Sequence, residues 1–251
     1  MAKQPKPKHA LPQQTGKVFM GCVHGSMVHA LWHTSILKVL WWDVRHRQRI
    51  IPNGGWLDVQ SSPRIASNRN ICIREFLNVQ NQPEWLWMTD TDMVFPGDIV
   101  DQMMAVAHPK DVPVLGALCF AGEPGRMWPS MYRLGVEGEP LMVRMDDYPR
   151  DALCRVEGTG AACLLMHRSA LVTVLDKWGH SAYPWFAETE HGGFELGEDV
   201  SLMLKFHGCG IPVHVDTRIK IGHVKHIILD EALFDSSQDA PPAEQLTVKA
   251  V

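Results

Sequence analysis

Residues 84–95 read Glu-Trp-Leu-Trp-Met-Thr-Asp-Thr-Asp-Met-Val-Phe and form the most informative stretch of this chain. A short apolar run between Pro83 and Pro96-Gly97 is typical of a strand that is buried on both faces. Two carboxylates, Asp90 and Asp92, close the strand with one residue between them. Because residues i and i+2 of an extended chain point to the same side, we expect both side chains on one face.

Two carboxylates held this close repel each other unless a cation lies beside them. A divalent cation with oxygen ligands meets that requirement, and it can also bridge to a phosphate-bearing substrate. The pair therefore predicts a metal site at the carboxyl end of the strand. Aspartates also form turns and cap helices, so a purely structural role is the alternative.

The composition favours a globular protein with a sizeable core. The chain has 251 residues, 45% hydrophobic and 21% charged, which suits one α/β domain with a small elaboration. Its net charge of −4 argues against a protein that holds nucleic acid by neutralising phosphates. The six cysteines include no Cys-x-x-Cys pair, as expected for reduced thiols. No run approaches the roughly 18 apolar residues of a membrane span and no signal-peptide core is visible, so we expect a soluble intracellular protein.

Strand-like and helix-like segments alternate through the first half of the chain, which favours a mostly parallel sheet. We expect a flexible tail over residues 1–15, one domain over 16–230 and a second tail over 231–251. Strands are predicted near 17–23, 49–51, 56–59, 85–89, 112–120, 155–167, 212–215 and 218–221. Helices are predicted near 27–42, from Ser62-Pro63 onward, and near 96–107, 169–178 and 197–207.

Ligands of open α/β sheets bind outside the carboxyl ends of the strands. His24, Asp90 and Asp92 all fall at predicted strand ends. We therefore expect one site to collect them.

Three motifs occur in a characteristic order. They are Asp-x-Asp at 90–92, Gly197-Glu198-Asp199 at the start of a later predicted helix, and Gly222-His223 after a final predicted strand. Their order resembles the GT-A class of nucleotide-sugar glycosyltransferases that carry an Asp-x-Asp motif, similar to glycosyltransferase family 2 and of bacterial or bacteriophage type. The likeness covers about residues 17–226. It implies a Rossmann-like, mostly parallel sheet with helices on both faces, a nucleotide half (about 16–120) and an acceptor half (about 121–230).

The resemblance also implies a donor and a metal. The expected donor is a nucleotide-sugar, with UDP as the nucleotide, held through Mn²⁺ or Mg²⁺. By position, Asp92 is implied as a direct metal ligand and His223 as a further protein ligand. Asp90 is implied to contact the donor ribose or the metal and its waters. Oxygen ligands with one imidazole suit Mn²⁺ better than zinc.

The Gly-Glu-Asp motif implies the catalytic residues. Asp199 matches the base of inverting members, which takes the proton from an acceptor hydroxyl. Glu198 is implied to hydrogen-bond the acceptor or the sugar. The alternative is that both acids only favour the first turn of a helix. Retaining members share the metal motif, so inversion depends on Asp199 alone.

Further donor contacts are implied around the same edge of the sheet. Arg69, on the helix before the central strand, resembles the basic residue that contacts the base or the phosphates, with an exposed salt bridge as the alternative. His24 and Gly25 would border the nucleotide, and Thr91 is a further candidate for a donor contact. Lys225 is placed to reach the diphosphate.

The acceptor is less defined by the sequence. Trp185 and Phe186 are candidates for a face on which a sugar ring stacks, or for core residues. The acceptor hydroxyl belongs to a glycan, a lipid intermediate, a protein side chain or, as the one nucleic-acid case, a modified base in phage DNA. The expected location is the cytoplasm, that of a bacterial host if a phage encodes the protein. Nothing in the sequence predicts an oligomeric state.

Two other functions remain as alternatives. One is a non-catalytic nucleotide- or carbohydrate-binding module with the same fold. The other is a sugar-phosphate nucleotidyltransferase, a class that resembles this one but carries Gly-x-Gly-Thr-Arg after its first strand. Here residues 22–26 read Cys-Val-His-Gly-Ser, so that signature is missing.

Overall fold

The computed structural model of the chain describes residues 16–60, 64–123, 126–191 and 194–225. Both predicted tails, 1–15 and 231–251, lie outside these ranges, as does the helix start predicted at Ser62-Pro63.

The described residues alternate between strands and helices along the chain. The helices are α1 (Ala30–His46), α2 (Ile65–Asn78), α3 (Ile99–Met104), α4 (Arg168–Trp178) and α5 (Glu198–Gly208). The strands of the first half are β1 (Val18–His24), β2 (Gly55–Gln60), β3 (Trp85–Asp90), β4 (Met93–Val94), β5 (Val114–Leu118) and β6 (Phe120–Glu123). Those of the second half are β7 (Arg126–Pro129), β8 (Met131–Leu134), β9 (Met142–Arg144), β10 (Leu153–Val156), β11 (Gly158–Thr159), β12 (Cys163–His167), β13 (Thr189–His191), β14 (Phe194–Leu196), β15 (Val213–Lys220) and β16 (Gly222–His223).

A seven-stranded sheet in the order β10-β15-β5-β12-β3-β1-β2 forms the centre of the molecule. Strands β1, β2, β3, β5 and β15 run in one direction, whereas β12 and β10 run antiparallel to their neighbours. The sheet is therefore mostly parallel, and the predicted Rossmann-like α/β class is confirmed.

Strand β3 lies inside the central sheet, and helices cover both faces of the sheet at this strand. Its alternate side chains enter different clusters of buried residues, because successive residues of a strand point to opposite faces. Leu86 and Met88 join the cluster that contains residues of α2, α4 and α5. Trp85 and Trp87 join the cluster that contains residues of α1 and α3. Helices on both faces explain why residues 85–89 read as an uninterrupted apolar run.

The strand predicted at 49–51 does not form. The carboxylate of Asp43, which is buried on α1, accepts hydrogen bonds from the backbone N–H groups of Arg49, Ile50 and Ile51 at 2.8, 3.1 and 2.9 Å. These N–H groups are thus satisfied by a side chain and not by a neighbouring strand. Residues 50–54 form a turn that leads directly into β2.

The second half of the chain departs further from the prediction. The strand expected over 155–167 is divided into β10, β11 and β12, and β11 pairs with β8 outside the central sheet. The two strands expected over 212–221 are one strand, β15, with an irregularity between Asp216 and Lys220. Within the described ranges, no helix is long and apolar enough to cross a membrane.

Candidate functional site

Four elements carry predicted site residues to the carboxyl edge of the central sheet. Strand β1 ends at His24 and β3 ends at Asp90, and the two strands are parallel neighbours. The first turn of α5 carries Glu198 and Asp199, and β16 carries His223. A cleft of about 290 Å³ opens at the carboxyl ends of β1 and β3 and is lined by Val23, His24, Gly25, Ile65, Asp90, Thr91 and Asp92.

A buried arginine joins two of the sequence motifs. Arg69, on α2, is 4% exposed, and its guanidinium donates to Asp90 Oδ1 at 2.6 Å and to Glu198 Oε1 at 2.5 Å. Burial alone would lower the pKa of Arg69, but the two carboxylates raise it above its ordinary value. The alternative of an exposed salt bridge is therefore wrong for Arg69, because its guanidinium is buried against the two motif carboxylates. The expected contact of Glu198 with the acceptor or the sugar stays a prediction.

Two aromatic residues expected as a sugar-stacking face are part of the core. Trp185 and Phe186 are 1% and 0% exposed, so they offer no surface to a sugar ring. The amide of Asn70 donates to the carbonyl of Phe186 at 2.7 Å and accepts from the N–H of Trp185 at 3.2 Å. The Phe186 ring also lies 5.3 Å from the Arg69 guanidinium. These contacts attach the segment before α5 to α2 and support the position of Arg69.

Asp92 makes different contacts from Asp90. Strand β3 ends at Asp90 and a turn follows, so the alternation expected on an extended chain does not continue to Asp92. Asp92 Oδ2 lies 3.0 Å from His223 Nε2, and the backbone N–H of Val224 donates to the Asp92 carbonyl at 2.8 Å. His223 Nδ1 lies 2.9 Å from the carbonyl oxygen of Phe120.

The Asp92–His223 pair is strongly polarised. The hydrogen bond to Asp92, with further acceptors around the ring, raises the pKa of His223 to about 10. Burial alone would raise the pKa of Asp92, but the bond and charge of His223, with the nearby charge of Lys225, hold it below its ordinary value. Both ring nitrogens of His223 face acceptor oxygens, so the imidazole is doubly protonated in this arrangement.

The donor atoms fit a divalent cation in part. Asp92 and His223 bring one carboxylate oxygen and one imidazole nitrogen to the same point, a set that suits Mn²⁺. The Phe120 carbonyl oxygen accepts a hydrogen bond from Nδ1–H of His223. The other ring nitrogen, Nε2, is therefore the one that would bind a metal, after it has lost its proton. Among the described residues, no group of three or more His, Cys, Asp and Glu side chains is gathered as a metal site. Asp90 Oδ1 accepts from Arg69, and the expected contact of Asp90 with the donor ribose or with the metal and its waters stays a prediction.

Asp199 lies at the start of α5 beside two glycines. A Cβ atom added to Gly160 would lie 3.6 Å from Asp199 Oδ2, so the absence of a side chain there leaves space beside the carboxylate. Asp199 Oδ1 accepts from the backbone N–H of Val200 at 2.7 Å. Burial, and then the negative charge of Glu198, raise the pKa of Asp199. A carboxylate with a raised pKa is better matched to accept a proton near neutral pH.

A second opening lies beside Glu198. It has a volume of about 500 Å³ and is lined by Glu188, Thr189, Glu190, Glu195, Leu196, Gly197 and Glu198. Glu198 therefore connects the buried Arg69 contact to a solvent-accessible pocket on the side expected for the acceptor.

Comparison with known proteins supports the fold. No protein-family model matches the chain, and no curated protein sequence matches it. Among solved structures, the chain is similar to GalNAc-T7, crystallised with UDP, GalNAc and Mn²⁺, with a TM-score of 0.53 and 11% identity. That likeness covers 84% of this chain and 44% of GalNAc-T7, so the chain spans less than half of its length. A197 from STIV is also similar, with a TM-score of 0.46, 13% identity and coverage of 84% of this chain and 96% of A197. The fold is glycosyltransferase-like.

Sequence reasoning missed several residues that support the site. Asp58, on the edge strand β2, lies 3.0 Å from His24 Nε2 and orients that ring at the rim of the cleft. The signal for Asp58 was available, because a charged residue in the middle of a short strand is unusual. No sequence signal indicates the Phe120 carbonyl or the role of Asn70, since both act through contacts between distant segments.

Proposed function

We propose that the chain is a metal-dependent glycosyltransferase that moves a sugar from a nucleotide-sugar, with UDP as the expected nucleotide, to an acceptor hydroxyl. The observation that carries the proposal is the contact of Arg69 with both Asp90 and Glu198. Asp90 and Glu198 belong to motifs more than a hundred residues apart in the chain, and one buried side chain brings them together beside Asp199. The glycosyltransferase-like fold supports the same conclusion.

The cleft at the carboxyl ends of β1 and β3 is the proposed donor site. Its walls include His24, Thr91 and Asp92, and it opens at the carboxyl edge of the sheet, where nucleotides bind in such folds. Asp92 and His223 would hold the metal, and Lys225 is close enough to Asp92 to act on the same phosphates. When bound, the metal would neutralise the negative charge that grows on the departing nucleoside diphosphate.

Asp199 is the proposed base. Its carboxylate would take the proton from the acceptor hydroxyl while that oxygen forms a bond to the anomeric carbon. The bond from the anomeric carbon to the diphosphate breaks at the same centre, on the opposite side of the sugar, which predicts inversion. Arg69 and Glu198 would fix the start of α5 relative to Asp90, so that base and donor keep their relative positions.

The direct test requires no acceptor. Glycosyltransferases often hydrolyse their donor slowly, so we would measure nucleotide release from UDP-, GDP- and CMP-linked sugars with and without Mn²⁺. We expect Mn²⁺-dependent release from one donor in the panel. Asp92→Asn should abolish this release, whereas the matched control Asp176→Asn, at an exposed position of α4, should leave it unchanged.

The same panel separates the alternatives. Metal-dependent binding of a nucleotide without release or transfer, and without any effect of Asp199→Asn, would favour a binding module. Formation of a nucleotide-sugar from a sugar phosphate and a nucleoside triphosphate would favour a nucleotidyltransferase. Neither binding nor release across the panel would contradict the proposal.

A further inference from the structure

Helix α1 presents an exposed apolar surface that the proposed site does not use. Among the described residues, fifteen large hydrophobic side chains are exposed; five of them lie on α1, and two more, Met27 and Val28, lie just before it. Scattered exposed hydrophobic residues are ordinary in proteins, but a concentration on one element indicates an interaction surface.

The exposed residues follow the repeat of one helix face. Positions 30, 34, 37, 41 and 44 are spaced alternately by four and three residues, so they form a continuous stripe along α1. Leu37, Trp41 and Val44 are 54%, 63% and 46% exposed. Leu31 and Trp42 flank the stripe and are 52% and 37% exposed. We call the side chains of Leu31, Leu37, Trp41, Trp42 and Val44 the α1 face. The opposite side of α1, which carries Trp32, Ile36 and Val39, packs in the core.

The charges around the α1 face have one sign. Lys38 and Arg45 are exposed beside it, and the Arg45 guanidinium lies 4.0 Å from the centre of the Trp41 ring. The acidic residue of α1, Asp43, is buried and accepts three backbone N–H groups.

The neighbouring acid on α3 is also neutralised. Asp101 Oδ1 lies 3.1 Å from Arg49 Nε, and Asp101 Oδ2 accepts from Trp42 Nε1 at 2.9 Å and lies 3.7 Å from Arg47 Nε. The surface therefore combines apolar and aromatic side chains with uncompensated cations, in a protein whose overall charge is −4.

We propose that the α1 face docks on an anionic lipid bilayer surface. A helix with large apolar side chains on one face and Lys and Arg beside them lies in the interface between headgroups and acyl chains. The long stems of Lys38 and Arg45 can keep their charges at headgroup level while Leu37, Trp41 and Val44 enter the interface. A second copy of the chain is a poorer occupant, because two α1 faces in contact would oppose Lys38 and Arg45 without an exposed acid on the helix to pair them.

Docking by α1 would also orient the cleft. The helix begins beside the cleft, where the backbone N–H of His29 donates to the carbonyl of Thr91 at 3.2 Å. The rim of the proposed donor site would therefore lie near the lipid surface. Binding of vesicles requires neither a nucleotide-sugar nor catalysis, so this proposal and the proposed function are tested separately.

The experiment is co-sedimentation of the full chain with vesicles of phosphatidylcholine alone and of an equal mixture of phosphatidylcholine and phosphatidylglycerol. We expect sedimentation with the anionic vesicles that decreases as salt is added. Replacing Lys38 and Arg45 together by Gln should weaken partitioning about 25-fold, because each cation near an anionic surface contributes about 5-fold. Leu37→Glu should abolish binding.

Val172→Glu is the matched control, because Val172 is also an exposed apolar residue on a helix, α4, and should leave binding intact. No sedimentation of the wild-type chain, or equal sedimentation of Leu37→Glu, would overturn the proposal. Equal binding to neutral vesicles would remove the role of the cations. A dimer in light scattering that Leu37→Glu dissociates, without vesicle binding, would assign the α1 face to a second copy instead.

Discussion

Asp90 and Asp92 stand two residues apart, yet their carboxylates bind different partners. Asp90 belongs to an inner group built on Arg69, which is 4% exposed and also holds Glu198. Asp92 belongs to an outer group with His223, in which the Asp92 side chain is 45% exposed. The Asp90 side chain is 31% exposed and the Asp92 side chain 45%, and both line the same cleft. The two carboxylates therefore differ in their partners more than in their exposure.

The two groups also differ in the balance of charge. The inner group contains one guanidinium and the carboxylates of Asp90, Glu198 and Asp199, so negative charge is in excess. Burial, and then the charge of Glu198, raise the pKa of Asp199. The outer group contains one carboxylate with the imidazole of His223 and the ammonium of Lys225 close by. An inner surplus of negative charge suits proton acceptance, and an outer site rich in cations suits an anionic ligand.

The largest effect is expected from Arg69→Met. The substitution keeps most of the side-chain volume but leaves two partly buried carboxylates without their cation. Loss of one partner of a buried ion pair is strongly destabilising, and because Asp90 and Glu198 are partly exposed we expect about 3 kcal/mol. Urea unfolding measures the change in the free energy of unfolding.

Arg74→Met is the control for that variant. Arg74 lies on the same helix, is exposed, and makes a hydrogen bond to the Ala182 carbonyl at 2.8 Å, so its loss should cost about 1 kcal/mol or less. Equal destabilisation by the two variants would show that Arg69 is not the centre of the inner group.

Asp199→Asn tests the catalytic side of the inner group. We expect transfer to fall by about 100-fold or more, the scale of a positioned general base, while donor binding remains. In the wild-type protein the raised pKa of Asp199 should appear as an acid limb in kcat/KM above the ordinary range of aspartate. Activity should be lost as pH falls through that value, because the base becomes protonated.

The pH profile of the variant distinguishes this role from a structural one. Asn cannot titrate, so the acid limb should disappear from the residual activity of Asp199→Asn. A variant with wild-type turnover, or with an unchanged acid limb, would assign the base to another residue.

The sheet and the position of the site could be predicted from sequence because both follow from local patterns. The apolar run bounded by prolines predicts β3 from its own residues, without knowledge of the rest of the chain. Parallel strands then bring their carboxyl ends to one edge of the sheet, which predicts the position of the site. Local patterns could not exclude the strand predicted near 49–51. The backbone N–H groups of these residues donate to the side chain of Asp43, which lies on α1, and not to a neighbouring strand.

The partners within the site were predictable only in part. Asp92 and His223 are in contact, as their shared role implied, but the partner of Asp90 depends on a turn that begins one residue later. Arg69 finds Glu198 129 residues further along the chain, a contact that no spacing rule predicts. The aromatic pair at 185–186 reads equally well as a binding face or as core, and only burial decides between them.

His223→Ala tests the outer group. Removing the imidazole takes away one of two adjacent donor atoms, and we expect Mn²⁺ affinity to fall by at least about 10-fold, since even groups behind a ligand contribute that much. Calorimetric titration with Mn²⁺ in the presence of UDP measures the effect. His207→Ala, on α5 away from Asp92, is the control. An unchanged titration would make His223 a structural partner of Asp92 and remove the main distinction between the two groups.

The smallest effect is expected from Lys225→Gln. Lys225 is exposed and acts on Asp92 through its charge, so its contribution is screened by solvent and should change the KM for the donor by about 2- to 5-fold, with kcat unchanged. Added salt should weaken donor binding of the wild-type protein more than that of the variant, because the attraction being screened is already missing from the variant. If the variant instead lost kcat and kept its salt response, Lys225 would act in the chemical step, and the outer group would do more than hold an anionic ligand.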